Sequence, residues 1–184
     1  MIAYKATRNM KCINFTYEVG KTYTFNGELV MCSRGFHFCE NPRDITLWYP
    51  YDKDFILMEI EVLGEVIKDQ SKSVTDKFKV LRIIPKEEYP ELIGITLDSN
   101  GNKIKQIHPD GKTYLWEYDS NGNMIKQVNP SGSTYLYEYD SNGNKIKGVN
   151  SDGKTYLYEY DSNGNMIKQV DPDGSTYLYE YDSN

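Results

Sequence analysis

Hydrophobic and polar residues alternate along the second half of the chain, in short runs that end at turns containing glycine. The runs Met124–Val128 and Thr134–Asp140 are rich in Tyr, Ile, Val and Thr, which favour β-strands. Asn-Gly and Asp-Gly dipeptides lie between such runs, and they favour hairpin turns because glycine adopts positive φ angles easily. The pattern therefore predicts a series of antiparallel β-hairpins.

These hairpins repeat with a period of 21 residues, since the motif SNGN begins at Ser99, Ser120, Ser141 and Ser162. A second turn, PDG or a variant of it, lies ten residues into each unit. Fixed self-similarity of this kind is typical of repeat architectures. We expect a continuous meander with a leading strand at 92–98, followed by hairpin units 99–119, 120–140, 141–161 and 162–182.

Strand alternation predicts an aromatic band on one face of the repeat sheet. Tyr135, Tyr137 and Tyr139 point to one face, whereas Leu136 and Glu138 point to the other. Over all units the predicted band contains Tyr114, Trp116, Tyr118, Tyr135, Tyr137, Tyr139, Tyr156, Tyr158, Tyr160, Tyr177, Tyr179 and Tyr181. Tyr and Trp offer large contact area at small entropic cost, so we predict this band as a binding surface on an open, partly solvated sheet.

The first half of the chain lacks the repeat, and we predict two domains, 1–90 and 91–184. Asn41 and Pro42 are typical of the N-cap and first position of a short helix that ends near Tyr49. Strands are predicted at 2–7, 22–30, 34–39, 55–66 with a bulge at Gly64, and 77–84, with a helix or turn at 85–92. The predicted fold class is an α+β N-terminal domain followed by an all-β repeat domain, an open antiparallel meander of stacked hairpins.

Composition and charge limit the classes of partner and the cellular location that we expect. The 184 residues include 17 Tyr and carry a net charge of −6, without a cluster of Lys and Arg, so nucleic acid is not an expected partner. No apolar run approaches the ~18–20 residues that cross a membrane, and the N-terminus lacks the apolar segment of a signal peptide. We expect a cytoplasmic protein, in the cytosol of a bacterial host, that does not enter a membrane. The three cysteines fit reduced thiols.

Two interpretations of the cysteines stay open. Cys12, Cys32, His37 and Cys39 together could form a closed, structural Cys3His zinc site. The spacing of Cys32 and Cys39 matches no recognised zinc motif, which favours the alternative of reduced cysteines packed as small hydrophobic side chains. We therefore predict no metal and no cofactor. No catalytic motif is present, so we predict no enzyme.

The motif YEYDSNGN resembles the tyrosine–aspartate (YD) repeats of the Rhs family over residues 99–184. In that family the repeats of very long chains build β-sheet shells around toxins. The resemblance implies one hairpin per repeat. Four repeats are not expected to enclose another protein.

The first half carries two further resemblances. The run YEVGKTY followed by CxRGFHxCxNP resembles a small N-terminal module of phage and prophage proteins, which implies a mobile-element origin. The order of strand, capped helix and long strand is similar to ADP-ribosyltransferases. That likeness implies NAD binding near Tyr4, Arg34 and Tyr49, with Lys5 where those enzymes hold His or Arg, and Asp76 near the position of their catalytic Glu.

These observations favour a non-catalytic protein-binding module, and an inhibitor of a host defence protein is the specific form we expect. One alternative is a degenerate or active ADP-ribosyltransferase-like enzyme that uses the repeats as a targeting arm. Another is a structural phage component. Exposed rings also favour self-association, so a homo-oligomer is a further expectation.

Overall fold

The structure is a computed structural model that describes residues 1–12 and 15–181, with Cys12 described by its backbone alone. These residues form two compact units. The first contains Met1–Thr96 and Ile107–Gly111, and the second contains Leu97–Gln106 and the described chain from Lys112 onward. Within the described ranges, no helix is both long enough and apolar enough to span a membrane.

The first unit is α+β. Its described strands are β1 (Ile2–Arg8), β2 (Lys11–Cys12), β3 (Phe15–Thr16), β4 (Thr22–Thr24), β5 (Phe36–Phe38), β6 (Phe55–Val62), β7 (Val66–Lys68), β8 (Ser73–Thr75) and β9 (Lys77–Ile83). Two 3-10 turns, Pro42–Asp44 and Lys86–Glu88, lead into the one-turn helices α1 (Ile45–Trp48) and α2 (Tyr89–Leu92). The strands form a sheet of order β3-β2-β1-β6-β9-β4 and a smaller sheet of order β5-β8-β7.

The core of this unit lies on the larger sheet, where β6 pairs antiparallel with both β1 and β9. Alternate residues of these strands point inward because side chains on a strand alternate between faces. Ala3, Met58, Ile60, Phe78 and Val80 are each 0% exposed. Tyr17 and Phe36 do not belong to these three strands, and their rings pack against the ring of Phe78.

The predicted helix start is confirmed, since the Asn41 side chain accepts the Arg43 amide at 3.1 Å. The predicted strand 55–66 is too long, whereas the predicted bulge is supported, because the amides of Leu63 and Gly64 both donate to Lys77 O, at 3.0 and 3.2 Å. Strand β6 ends at Val62, and the chain passes Gly64 into β7, which belongs to the smaller sheet. A Cβ at Gly64 would overlap the Asp76 carboxylate, so this crossing between sheets needs glycine.

The predicted strand 22–30 is too long. Strand β4 ends at Thr24, just before the Asn26-Gly27 dipeptide, and of the remaining predicted positions only Val30 forms a bridge, with Arg34. Asn-Gly favours a turn, which explains why the strand does not continue.

The repeats form a nine-stranded antiparallel meander in the described part of the chain. Its strands are β10 (Ile95–Leu97), β11 (Lys103–Ile107), β12 (Thr113–Tyr118), β13 (Met124–Val128), β14 (Thr134–Tyr139), β15 (Lys145–Asn150), β16 (Thr155–Tyr160), β17 (Met166–Val170) and β18 (Thr176–Leu178). Each strand pairs with the next along the chain. The predicted fold class, α+β followed by an all-β meander, is confirmed.

Candidate functional site

The SNGN turns are three-residue hairpin loops. In the first, the Asp98 amide donates to Asn102 O at 2.9 Å, and the Gly101 amide donates to Asp98 O at 3.1 Å. Gly101 has a φ of 84°, whereas Asn100 keeps a negative φ. This is a type I turn followed by a left-handed glycine, one of the common hairpin connections.

An aspartate caps each of these turns. Asp98 Oδ1 accepts the amides of Asn100 and Asn102 at 2.9 and 2.8 Å, and its Oδ2 accepts the Asn102 side-chain amide at 3.0 Å. The side-chain bond from Asn102 is the main cause that lowers the pKa of Asp98. The same contacts recur at Asp119, Asp140 and Asp161. The Asp and the second Asn of DSNGN therefore have a structural role.

Strand register places the rings of successive units on one face, separated by an intervening strand. Trp116 lies opposite Gln127, and Gln127 lies opposite Tyr135. In the next row, Gly148 lies between Tyr137 and Tyr156. We call this surface the aromatic face. It is the predicted band, interleaved with Gln and Gly.

The third aromatic residue of each unit, a tyrosine in all four, closes its own hairpin. The Tyr139 hydroxyl donates to Met124 O on the neighbouring strand at 2.8 Å. Tyr118, Tyr160 and Tyr181 make the same bond to the carbonyls of Lys103, Lys145 and Met166. Four of the predicted binding residues thus have a structural role that the sequence analysis did not assign.

Lysines approach the rings in alternate units. Lys103 Nζ lies 4.4 Å from the Trp116 ring centroid, and Lys145 Nζ lies 5.4 and 4.9 Å from those of Tyr137 and Tyr158. Burial lowers the pKa of Lys103. Met124 and Met166 occupy the same position in the other two units, so the aromatic face alternates in charge from unit to unit.

The opposite face, which we call the leucine face, carries paired charges and exposed leucines. Lys126, Lys147 and Lys168 each lie 2.7 Å from the glutamate across the strand pair, Glu117, Glu138 and Glu159. Leu115, Leu136, Leu157 and Leu178 are 42%, 47%, 44% and 75% exposed. By comparison, the rings of units one to three on the aromatic face are half-buried, and Tyr177, Tyr179 and Tyr181 are exposed.

The candidate zinc ligands are only partly described. The Cys32 amide donates to His37 Nε2 at 2.8 Å, which occupies one ring nitrogen. Cys39 is 1% exposed, and burial raises the pKa of its thiol to about 12. The Cys12 side chain lies outside the described residues. Within the residues described, no cluster of three His, Cys, Asp or Glu side chains could hold a metal ion.

Only some of the residues implied by the likeness to ADP-ribosyltransferases line a common cavity. Arg34 and Tyr49 line one cavity of about 460 Å³, together with Lys5. Tyr4 and Asp76 are not part of its described lining. The Asp76 carboxylate instead accepts the Glu65 amide at 2.8 Å.

The first half has a counterpart among known families. The family model described as Domain of unknown function (DUF7666) matches residues 1–92, which is half of the chain. The chain belongs to this family. The description of DUF7666 gives neither an activity nor an origin, so the phage-module and transferase resemblances stay predictions.

The second half matches a different family model. Residues 97–184 match the Teneurin YD-shell, so the repeats of this DUF7666 protein are similar to YD-shell repeats. This match confirms the resemblance to YD repeats and indicates a repeat-based binding or structural module. A comparison with curated proteins finds none that matches the chain.

Sequence reasoning missed two features of the repeat half of this DUF7666 protein. It treated the three aromatic residues of a unit as equivalent, although the third is a tyrosine in all four units and is always 15 residues after the carbonyl that it contacts. It also gave no weight to the exposed leucines. Every ring of a unit keeps a fixed spacing to the first strand residue of that unit, so the sequence pattern alone does not distinguish the third ring.

Proposed function

We propose that this DUF7666 protein is a non-catalytic protein-binding module of phage or mobile-element origin, and that the aromatic face of its repeat sheet is the recognition surface. In the specific form of this proposal, the partner is a host defence enzyme that the complex inhibits. The partner is a protein and not nucleic acid, because the net charge of −6 opposes phosphate binding.

The difference between the two faces of the sheet carries the proposal. The centres of protein interfaces are rich in aromatic residues and poor in Lys and Glu. The aromatic face has Trp and Tyr interleaved with Gln127, Gly148 and Gln169. It also carries two lysines, Lys103 and Lys145, that lie against the rings. The leucine face instead carries three Lys–Glu pairs, which are typical of a solvated surface.

The first two aromatic residues of each unit are the proposed contact residues, Tyr114 and Trp116 in the first unit and two tyrosines in the others. Tyr137 and Tyr156 lie on either side of Gly148, which leaves their rings without a long side chain between them. The third aromatic residue, always a tyrosine, donates a hydrogen bond to a backbone carbonyl and therefore supports the surface. Since the chain is acidic, charge complementarity favours a partner with basic residues around the contact.

Affinity capture from a bacterial host lysate with matched variants tests the proposal. The variant Tyr137→Ser/Tyr156→Ser changes the aromatic face, and the control Leu136→Ser/Leu157→Ser changes the adjacent residue of each strand on the other face. We expect the wild-type protein and the control to capture the same protein, and the tyrosine variant to lose it. Equal capture by both variants, or loss with the leucine variant alone, would contradict the choice of surface.

The inhibitory role needs a second measurement on the captured protein. We expect its enzymatic activity to fall as the wild-type chain is added in stoichiometric amounts, and to be unaffected by Tyr137→Ser/Tyr156→Ser. An unchanged activity of the captured protein would contradict the proposed inhibition but not the proposed binding. Discrete oligomers of the isolated chain in light scattering would instead support a structural component.

A further inference from the structure

The first unit contains a cavity that the proposed function does not use. Its volume of about 460 Å³ falls within the ~300–1,000 Å³ of typical small-molecule sites. Six rings from separate parts of the sequence form much of the wall: Phe15, Tyr17, Phe25, Phe36, Trp48 and Tyr49. A wall of this kind offers flat apolar surfaces for a planar ligand.

Contacts between rings hold this wall in place. The Phe36 ring meets Phe15 and Phe78 edge to face, with centroids 5.1 and 4.9 Å apart. Tyr17 meets Phe78 in the same manner at 5.4 Å, and Phe78 is fully buried. The cavity is therefore largely preformed, which reduces the entropic cost of binding a ligand.

The polar part of the described lining is basic. Lys5, Arg34, Lys72 and His37 line the cavity, and no Asp or Glu belongs to the lining that the structure describes. Lys5 is 1% exposed, and its Nζ donates to His37 O at 2.7 Å. Lys72 Nζ lies 3.8 Å from the Trp48 ring centroid.

The pKa of His37 is lowered in part by the same positive charges. Burial, followed by the charges of Lys5 and Lys72, lowers the pKa of His37 to about 4. The ring is therefore neutral at pH 7, and its Nε2 accepts the Cys32 amide. Such an excess of positive charge in a partly enclosed site attracts anions.

We infer that this cavity binds a small molecule that carries a planar aromatic ring and an anionic group. The ring would pack against the aromatic wall, and the anion would pair with Arg34 and Lys72 near the side chain of Trp48. Phosphate esters and carboxylates share this chemistry. Cationic rings are excluded because they would meet like charges.

Isothermal titration of the full chain with matched probes tests the inference. The probes are 1-naphthyl phosphate, 1-naphthoate, 1-naphthol and inorganic phosphate. We expect at least one of the two anionic aromatic probes to bind about tenfold or more tightly than both 1-naphthol and inorganic phosphate, because charge-assisted bonds add to ring packing. The stronger of the two identifies the anion class. Absence of heat with both anionic aromatic probes, or equal binding of 1-naphthol, would overturn the inference.

Substitutions of basic residues in the cavity lining test where the anionic probe binds. Arg34→Met and Lys72→Met should each weaken the better anionic probe by about tenfold, since each removes one charge-assisted contact. Lys53→Met removes an exposed lysine outside the lining and should leave the affinity unchanged. Equal affinity in all three variants would place the anion elsewhere and refute the site. Tyr137→Ser/Tyr156→Ser should bind the probe like wild type, so this test is independent of the proposed protein-binding surface.

Discussion

The hydroxyl of the tyrosine that is the third aromatic residue of each unit gives the most specific prediction for the repeat sheet. Tyr139 donates to Met124 O at 2.8 Å and Tyr160 donates to Lys145 O at 3.0 Å, across the open ends of two successive hairpins. The double variant Tyr139→Phe/Tyr160→Phe removes both bonds and keeps both rings. We expect the hairpins of these two units to open more readily.

The size of the effect follows from the value of one hydrogen bond. A typical intramolecular bond contributes about 0.5–1.5 kcal/mol to the free energy of unfolding. Both tyrosines are half-buried, so water can reach part of each carbonyl left without its partner, and the loss falls in the lower part of that range. The two sites together should therefore lose about 1–2 kcal/mol, a factor of roughly 5–30 in the opening equilibrium.

Native-state hydrogen exchange of β13 to β16 measures this loss directly, and it does not require the repeats to unfold in one step. The matched control is Tyr137→Phe/Tyr158→Phe, which changes two rings of the same strands. Their hydroxyls make no hydrogen bond with any other residue that the structure describes. The control should stay within about 0.5 kcal/mol of wild type.

Equal acceleration of exchange in the two double variants would refute the reasoning. It would mean that all tyrosine hydroxyls contribute alike, and that the bonds to Met124 and Lys145 have no special role. Acceleration confined to Tyr139→Phe/Tyr160→Phe would support the division of each unit into two contact rings and one supporting ring.

Three other predictions concern backbone and charge. Gly143→Ala should destabilise the sheet by about 1–2 kcal/mol because the φ angle of Gly143 is 85°. Gly148 lies inside a strand, so Gly148→Ala should stabilise the sheet by about 0.5–1 kcal/mol, and urea unfolding of both variants measures these changes. The lowered pKa of turn aspartates such as Asp140 means that their stabilisation is complete above the unfolded pKa of 3.8 and is lost as pH falls through the folded value, which acid unfolding of the repeats checks. Since the pKa of His37 falls from 6.5 to about 4, the first unit should lose stability as pH drops between those values, and NMR titration of the imidazole gives its pKa.

Alternation and turn chemistry were sufficient to predict the repeat sheet. The strand Met124–Val128 was predicted with its observed bounds, and the face shared by Trp116 and Tyr135 follows from a period of two residues. The bond from Tyr139 to Met124 O could not be predicted in the same way. It depends on the hairpin geometry that brings a side chain over a neighbouring strand, and a linear pattern does not contain that geometry.

The first unit was less predictable because its contacts join distant segments. The capped turn at Asn41 was predicted from local residue preferences and is confirmed. The passage between sheets at Gly64 depends on Asp76, which lies on the other side of a hairpin. The cavity likewise combines Phe15, Arg34 and Lys72, and no spacing in the sequence connects these three.

The central proposal is that a protein partner covers the aromatic face. Hydroxyl-radical footprinting of the free chain and of its complex with the captured partner tests this most directly, because adjacent residues of one strand report on opposite faces. We predict that Tyr137 and Tyr156 become protected in the complex while Leu136 and Leu157 react as in the free chain. Protection of the leucines with unchanged tyrosines would contradict the account.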